Sequence, residues 1–387
     1  MTSIPHVAKL ARLLLCCLAP LAAAGVAAAA DGDARAAVDE GAALIAEFGL
    51  REGDTPVAQL PGWKPPRVIV VDSGIAGLFE ALDGSAPGVR FVAARTPAEI
   101  ATAVAAGAEV VIGRTPVICD PRVLGAGPSL RWVQTVYAGV DRCVPSAERF
   151  QQGLLLTNMR AIGSSVIAEH ALGLTFALAR GLQVAIPNQT RAHWDESLGG
   201  ASLIALRGKT LLVVGLGGIG TEVAQRAHAL GMRVIATRAS DRPAPDYVAR
   251  VGKPEDLPAL LAEADVVVNA LPLTPATRNL FDARLFGAMK RSALFINVGR
   301  GGTVVTADLV AALESRTIGG AGLDVTEPEP LPREHPLWRA PNLIITPHMA
   351  GGSDLGVEAQ LRVLRTNIQR YVNGGKLLSV VDMQRAY

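Results

Sequence analysis

The sequence predicts an α/β protein of two doubly wound parallel-sheet units, and three observations lead there. Short β-branched runs alternate with helical stretches, the pattern of a parallel sheet covered on both faces. The runs fall into two groups, one ahead of a long apolar helix and one behind it. One run of the second group enters a glycine cluster and then a helix. At 387 residues the chain is long enough for two cores. Hydrophobic residues make up 50%, charged residues 19% and aromatics 4%, a globular composition and not a disordered one. Lys and Arg number 37 against 35 Asp and Glu, so there is no basic field for nucleic acid. Four cysteines are too few for a disulfide scaffold, and the glycines keep no collagen-like period.

Residues 1–30 carry Lys9 and Arg12, then a Leu/Ala/Cys run ending in Ala28-Ala29-Ala30 before Asp31. That reads as a secretory signal peptide cleaved near Ala30, which makes the mature protein exported, periplasmic or extracellular. The alternatives are an uncleaved anchor, or a mis-assigned start and a cytoplasmic protein. No twin-arginine pair is present, and no later stretch reads as a membrane span. Cleavage would leave acids and bases in balance and only Cys119 and Cys143. These two read better as buried small hydrophobes than as a bonded pair, because spacing alone does not establish a bond.

Residues 31–65 read as a helix and a linker with Pro56, Pro61, Gly62, Pro65 and Pro66. Strand signals follow at 67–72, 108–112 and 130–136, with a helix from Pro97 to Ala106 between. Apolar residues recur at helical spacing from Ser164 to Leu182, and a polar segment covers 189–200. Further strand signals lie at 208–214, 233–237, 265–270, 293–298 and 343–346, and a last helix at 355–372.

The glycine cluster is Gly215-Leu-Gly217-Gly218-Ile219-Gly220, a G-x-G-x-x-G pattern between a strand and a helix. The first glycine allows the tight turn, the second admits a pyrophosphate, and the third lets helix pack on strand. The helix N-terminus then offers N–H groups and a favourable dipole to phosphate. This marks a Rossmann-type dinucleotide site. An acid at the end of the next strand would select NAD(H). Arg238 stands there instead, with Ser240 and Arg242 close by and Asp241 beyond the expected point. A guanidinium and a hydroxyl suit a 2′-phosphate, so NADP(H) is preferred and NAD(H) is the alternative.

Three residues stand near the ends of later strands, where open sheets place their ligands: Arg300, Glu329 and His348. Singly, each has a bland reading as a surface charge, a turn acid or a strand-end histidine. Together, behind a dinucleotide fingerprint, they point to a site. His170, His193 and His228 read as structural or exposed, and no metal-ligand spacing is evident.

Here the chain resembles the D-isomer-specific 2-hydroxyacid dehydrogenase family, from about Arg67 to the C-terminus. The carriers are Ala138-Gly-Val-Asp141, Ile167-Ala-Glu-His-Ala171, Leu206-Arg-Gly-Lys209, the glycine turn, Leu271-Pro-Leu-Thr274, Asn297-Val-Gly-Arg-Gly301, Asp324 to Pro330, and Thr346-Pro-His348. The resemblance implies that Arg300 holds the carboxylate and keto oxygen of a 2-oxoacid, a match for its planar fork. It implies that His348 exchanges a proton with the substrate oxygen while Glu329 orients the ring and raises its pKa. Gly218 and Ile219 would face the pyrophosphate. Leu271, Pro272 and Thr277 would line the adenosine side, Asp324 would bind the nicotinamide carboxamide or its neighbourhood, and Val298 and Gly351 would also bind the cofactor. The loop Gly113-Arg114-Thr115 would meet the substrate carboxylate. In the formate dehydrogenases of this fold the imidazole pairs with an amide, so Glu329 argues for alcohol–ketone chemistry.

The expected organisation is a discontinuous substrate domain, 66–160 plus 352–387, with a dinucleotide-binding domain, 161–351, inserted. A homodimer is implied, with residues 161–200 at its interface. The expected activity is NAD(P)-linked reduction of a small 2-oxoacid of glyoxylate or hydroxypyruvate type. The competing readings are a non-catalytic dinucleotide sensor, and oxidation of a small inorganic or one-carbon anion.

Overall fold

The computed structural model describes residues 40–198 and 203–383. The expected signal segment lies outside them. Strands β1 (Val68–Asp72), β2 (Arg90–Ala94), β3 (Val110–Gly113), β4 (Trp132–Thr135) and β5 (Leu155–Thr157) form one sheet, in the order β2-β1-β3-β4-β5. All its pairings are parallel. A second parallel sheet holds β6 (Thr210–Val214), β7 (Arg233–Thr237), β8 (Arg250–Gly252), β9 (Val266–Asn269), β10 (Leu294–Asn297), β11 (Gly320–Leu323) and β12 (Leu343–Ile345). Its order is β12-β11-β10-β9-β6-β7-β8. Strand order reverses beside β1 in the first sheet and beside β6 in the second, and a crevice opens at such points.

Every residue of β3, β4, β9, β10 and β11 is buried, as expected for strands covered on both faces. Four strands escape the sequence reading. β2 and β8 are edge strands with exposed residues, and β5 is three residues long. β11 reads Gly-Ala-Gly-Leu and carries no strand propensity. A Cβ at Gly320 would lie 2.8 Å from the Asn342 carbonyl oxygen, and one at Gly322 would lie 3.0 Å from Leu174 Cβ. Neighbours, not propensity, make this segment a strand.

The long helix is Ser164–Ala179 and stops sooner than its apolar period suggests. Gly181 takes φ +69°, and a second helix, Leu182–Thr190, runs into the polar segment. The first of these helices buries Ala168, Ala171, Leu174 and Leu178 with Val213, Val268 and Ile296 of the second sheet. The last helix, Gly356–Val372, returns to the first sheet, where Val363, Leu364, Ile368 and Tyr371 join Ile69, Val71 and Trp132. Trp132 and Tyr371 stack with centroids 4.8 Å apart. Leu44, in the helical segment 40–48, packs into the same core.

Cys119 and Cys143 correct the expectation of two separate hydrophobes: they form a disulfide. Both are buried, and the fold brings their Cα atoms to 4.9 Å, within bonding range. Among the described residues no helix is long and apolar enough to cross a membrane.

Candidate active site

The glycine turn begins where β6 ends. Gly215 sits at φ +99°, a conformation that disfavours any side chain. A Cβ at Gly220 would lie 2.2 Å from the Gly215 carbonyl oxygen, so the helix Gly218–Ala229 starts pressed against the turn. Gly217 is different: no atom lies within 4 Å of the point its Cβ would take. The turn therefore presents an open face to the first N–H groups of a 12-residue helix, which have no acceptor inside it. A dinucleotide pyrophosphate fits this cradle. Leu271 Cδ2 flanks the turn at 3.0 Å from the Cβ point of Gly215. Thr277 instead spends its hydroxyl within its own loop, donating to the Pro272 carbonyl (2.6 Å) and accepting from the Thr274 N–H (2.8 Å). Val298 is buried in the core, whereas Gly351 is exposed.

At the end of β7, Arg238 Nε donates to the Ser240 carbonyl at 3.3 Å. Asp241, the nearest acid, is paired with Lys253, which holds its carboxyl below the usual range.

Arg300 follows β10. Its carbonyl accepts from Thr303 Oγ1 (2.6 Å) and Asn297 Nδ2 (3.2 Å), while Asn269 Nδ2 bonds both Asn297 and Thr303. This network of buried side chains fixes the backbone from which the guanidinium projects. Arg300 Nη1 donates to the Gly299 carbonyl (2.8 Å), and Nε donates to Asp141 Oδ2 (3.0 Å). A Cβ at Gly139 would overlap Arg300 Nη2, at 1.8 Å. The turn after β4 thus meets an arginine of the other sheet. That turn is held by Thr115 Oγ1 donating to the Gly139 carbonyl (3.1 Å) and Asn158 Nδ2 donating to the Ala138 carbonyl (2.7 Å).

His348 follows β12 and takes φ +52°. Its Nδ1 lies 2.9 Å from Glu329 Oε2, and Glu329 Oε1 accepts from the Thr326 N–H at 2.9 Å. The Glu329 bond raises the His348 pKa; burial and the Arg300 charge pull the other way without prevailing. Burial pushes the Glu329 pKa up, but the bonds from His348 and the Thr326 N–H outweigh it and leave the carboxyl below its ordinary value. The Arg300 charge acts on both groups and pulls the pKa of each downward.

Arg114 Nε and Nη2 bond the buried Asp72 carboxylate at 2.6 and 2.9 Å, which raises the Arg114 pKa. Gly113 packs on Asp72 Cβ at 2.4 Å from its own Cβ point, and Thr115 braces the Gly139 turn. The part of the first sheet that reaches Arg300 is Gly139–Asp141. The Ala138–Asp141 motif was a signal for it, without a role attached. Asp324 is buried, and its carboxylate accepts from Thr346 Oγ1 and the N–H groups of Met349 and Ala350. It holds the His348 loop. Among the described residues no cluster of His, Cys, Asp and Glu is set to hold a metal.

A dinucleotide cradle next to a carboxylate-braced imidazole and an arginine defines a hydride-transfer oxidoreductase. Residues 172–350 match the family model described as D-isomer specific 2-hydroxyacid dehydrogenase, NAD binding domain. A glycerate dehydrogenase of Methylorubrum extorquens is 34% identical over 293 residues, 74% of this chain and 89% of that protein. The crystal structure of a D-isomer specific 2-hydroxyacid dehydrogenase family protein from Aeromonas salmonicida superposes with a TM-score of 0.72 at 31% identity, covering 82% of this chain and 99% of that one. An NADPH-dependent glyoxylate/hydroxypyruvate reductase of Sinorhizobium meliloti, solved with NADP and sulfate, gives 0.68 at 29% identity, covering 83% and 99%. The chain belongs to the D-isomer specific 2-hydroxyacid dehydrogenase family, and it is an enzyme of that class.

Proposed function

We propose that this protein reduces a small 2-oxoacid of glyoxylate or hydroxypyruvate type to its D-2-hydroxyacid, with NADPH as preferred donor and NADH as the alternative. The 2.9 Å contact between His348 Nδ1 and Glu329 Oε2, within reach of the Arg300 charge, carries this reading. Glu329 accepts the hydrogen bond from Nδ1–H, so Nε2 is the nitrogen left to face the substrate. Arg300 holds the carboxylate and the keto oxygen. His348 Nε2–H protonates that oxygen as negative charge grows on it and leaves the ring neutral, and Glu329 keeps the ring protonated and oriented before that step. The glycine turn, with Gly215, Gly217, Gly218, Ile219 and Gly220, would hold the pyrophosphate, and Arg238 the 2′-phosphate. Leu271 and Pro272 would line the adenosine side, and Gly351 the nicotinamide side. A reduced nicotinamide bound there supplies the hydride. The paired Asp241 and the NADP bound in the Sinorhizobium structure support the preference for NADPH.

The site is the cleft between a substrate domain, 66–160 with 352–387, and an inserted dinucleotide domain, 161–351. Return of the last helix to the first sheet supports that division. The mature protein is exported after loss of residues 1–30, which a buried disulfide in the first sheet's unit supports. It works as a homodimer through 161–200, where Phe176, Leu182, Val184, Ile186 and Trp194 are exposed.

The test is a panel of 2-oxoacids with purified protein and NADPH or NADH. Turnover of glyoxylate or hydroxypyruvate, lost in His348→Ala with dinucleotide binding retained, is the expected result. Dinucleotide binding without turnover of any 2-oxoacid defeats the reading.

A further inference from the structure

His348 is a non-glycine residue at positive φ, so something must hold its loop in that conformation. Four bonds to one residue do so. The Asp324 carbonyl accepts from the His348 N–H at 2.8 Å. Its Oδ1 accepts from the Met349 N–H (2.9 Å) and Thr346 Oγ1 (2.7 Å), and its Oδ2 from the Ala350 N–H (3.0 Å).

The chain of bonds does not stop at Asp324. Thr346 Oγ1 also lies 2.9 Å from His170 Nε2, a ring atom 3.5 Å from Asp324 Oδ1. The direction of each bond follows from chemistry. An ionised carboxylate only accepts, so the Thr346 hydroxyl spends its single proton on Asp324. The same hydroxyl can then only accept from His170, so Nε2 of His170 carries a proton. His170 belongs to the helix Ser164–Ala179, far from His348 in sequence. That helix is itself locked to the helix of the glycine turn. A Cβ at Gly218 would lie 2.8 Å from Ser164 Oγ, and Arg226 Nη2 donates to Ser165 Oγ at 2.5 Å.

We propose that His170 and Thr346 are positioning residues: the chain His170 Nε2–H, Thr346 Oγ–H, Asp324 carboxylate sets the place of His348 from the helix that packs on the dinucleotide cradle. The proton donor and the cradle then share one rigid reference, as transfer to a carbonyl beside a nicotinamide requires. This rests on the reductase reading above for its kinetic consequence, but not for its geometry.

Two pairs of variants test it. Thr346→Val and His170→Leu remove the bonds and keep the bulk. Thr346→Ser and His170→Gln keep a hydroxyl and an Nε2 donor. The first pair is expected to lose about tenfold in kcat with little change in KM or in dinucleotide affinity, and the second pair to recover most of it. The double variant Thr346→Val/His170→Leu is expected to lose no more than either single one, because one chain is cut twice. Far-UV circular dichroism and dinucleotide binding confirm that each variant folds. Wild-type kcat in Thr346→Val, or equal loss in Thr346→Ser and Thr346→Val, overturns the proposal. Should the wild type turn over no 2-oxoacid, the reductase reading fails alone, and the His348 imidazole titration, followed by NMR, still decides. A midpoint that falls in Thr346→Val and His170→Leu and returns in Thr346→Ser supports the chain. An unmoved midpoint in all four overturns it.

Discussion

Glu329 and His348 hold opposite charges in one hydrogen bond, and that sets the pH behaviour of both. His348 is raised above its ordinary 6.5, so its contribution to stability is complete below that value and fades as pH climbs through the raised one. Glu329 is lowered from 4.5, so its contribution is present above that value and is lost as pH falls through the lowered one. The pair is fully formed between 4.5 and 6.5 and stays protonated at the ring somewhat above that. Reduction needs the protonated ring. Glu329→Gln removes the largest cause of the raised pKa, so the alkaline limb of kcat/KM for 2-oxoacid reduction is expected to move to lower pH. A limb that stays in place in a pH–rate profile refutes the role given to Glu329. Arg300→Lys is expected to cost about a hundredfold in kcat/KM, because an ammonium cannot make the planar two-point contact and loses the bond that Arg300 Nε donates to Asp141 Oδ2. Steady-state kinetics with glyoxylate checks it. The sequence motifs singled out all three of these residues, although the strand ahead of Glu329 gave no signal of its own. Asp141 and His170 were not given roles, because their significance is a partner 159 or 176 residues away.

Among the elements, the glycine turn was readable because its chemistry is local: strand, tight turn, helix N-terminus. The end of β7 was readable for the same reason. Arg238→Glu is expected to shift the NADPH-to-NADH preference by roughly ten- to a hundredfold toward NADH, the loss of one charged contact of about 1.5–3 kcal/mol. Comparing kcat/KM for the two donors measures it, and an unchanged ratio removes Arg238 from the site. β11 was invisible, because two glycines there answer to Asn342 and Leu174 and not to strand propensity. The helix break at Gly181 was hidden by apolar residues that continue past it. The disulfide ties Cys119, which caps the short helix Thr115–Ile118, to Cys143, two residues after Asp141. Closing a separation of 24 residues contributes about 3 kcal/mol in the chain-entropy account. Cys119→Ala/Cys143→Ala is expected to unfold about 6–12 °C lower than the wild type in non-reducing buffer. Equal midpoints by calorimetry contradict that contribution.

At the scale of the whole molecule, the exposed apolar side chains of residues 176–194 bear on assembly. Ile186→Asp with Trp194→Asp is expected to convert the proposed dimer to a monomer in light scattering, and a wild-type protein that is already monomeric refutes the interface. Two doubly wound sheets and a glycine turn between strand and helix were determined by the sequence alone, since each depends on spacing within a strand–turn–helix unit. Which side chains stay free, and which are already spent, was decided only by tertiary structure. Arg114 is taken by Asp72, Asp324 by the His348 loop, and the edge of Arg300 by Asp141. A hydrogen bond between distant segments depends on both of them arriving at one place, and no local pattern encodes that arrival.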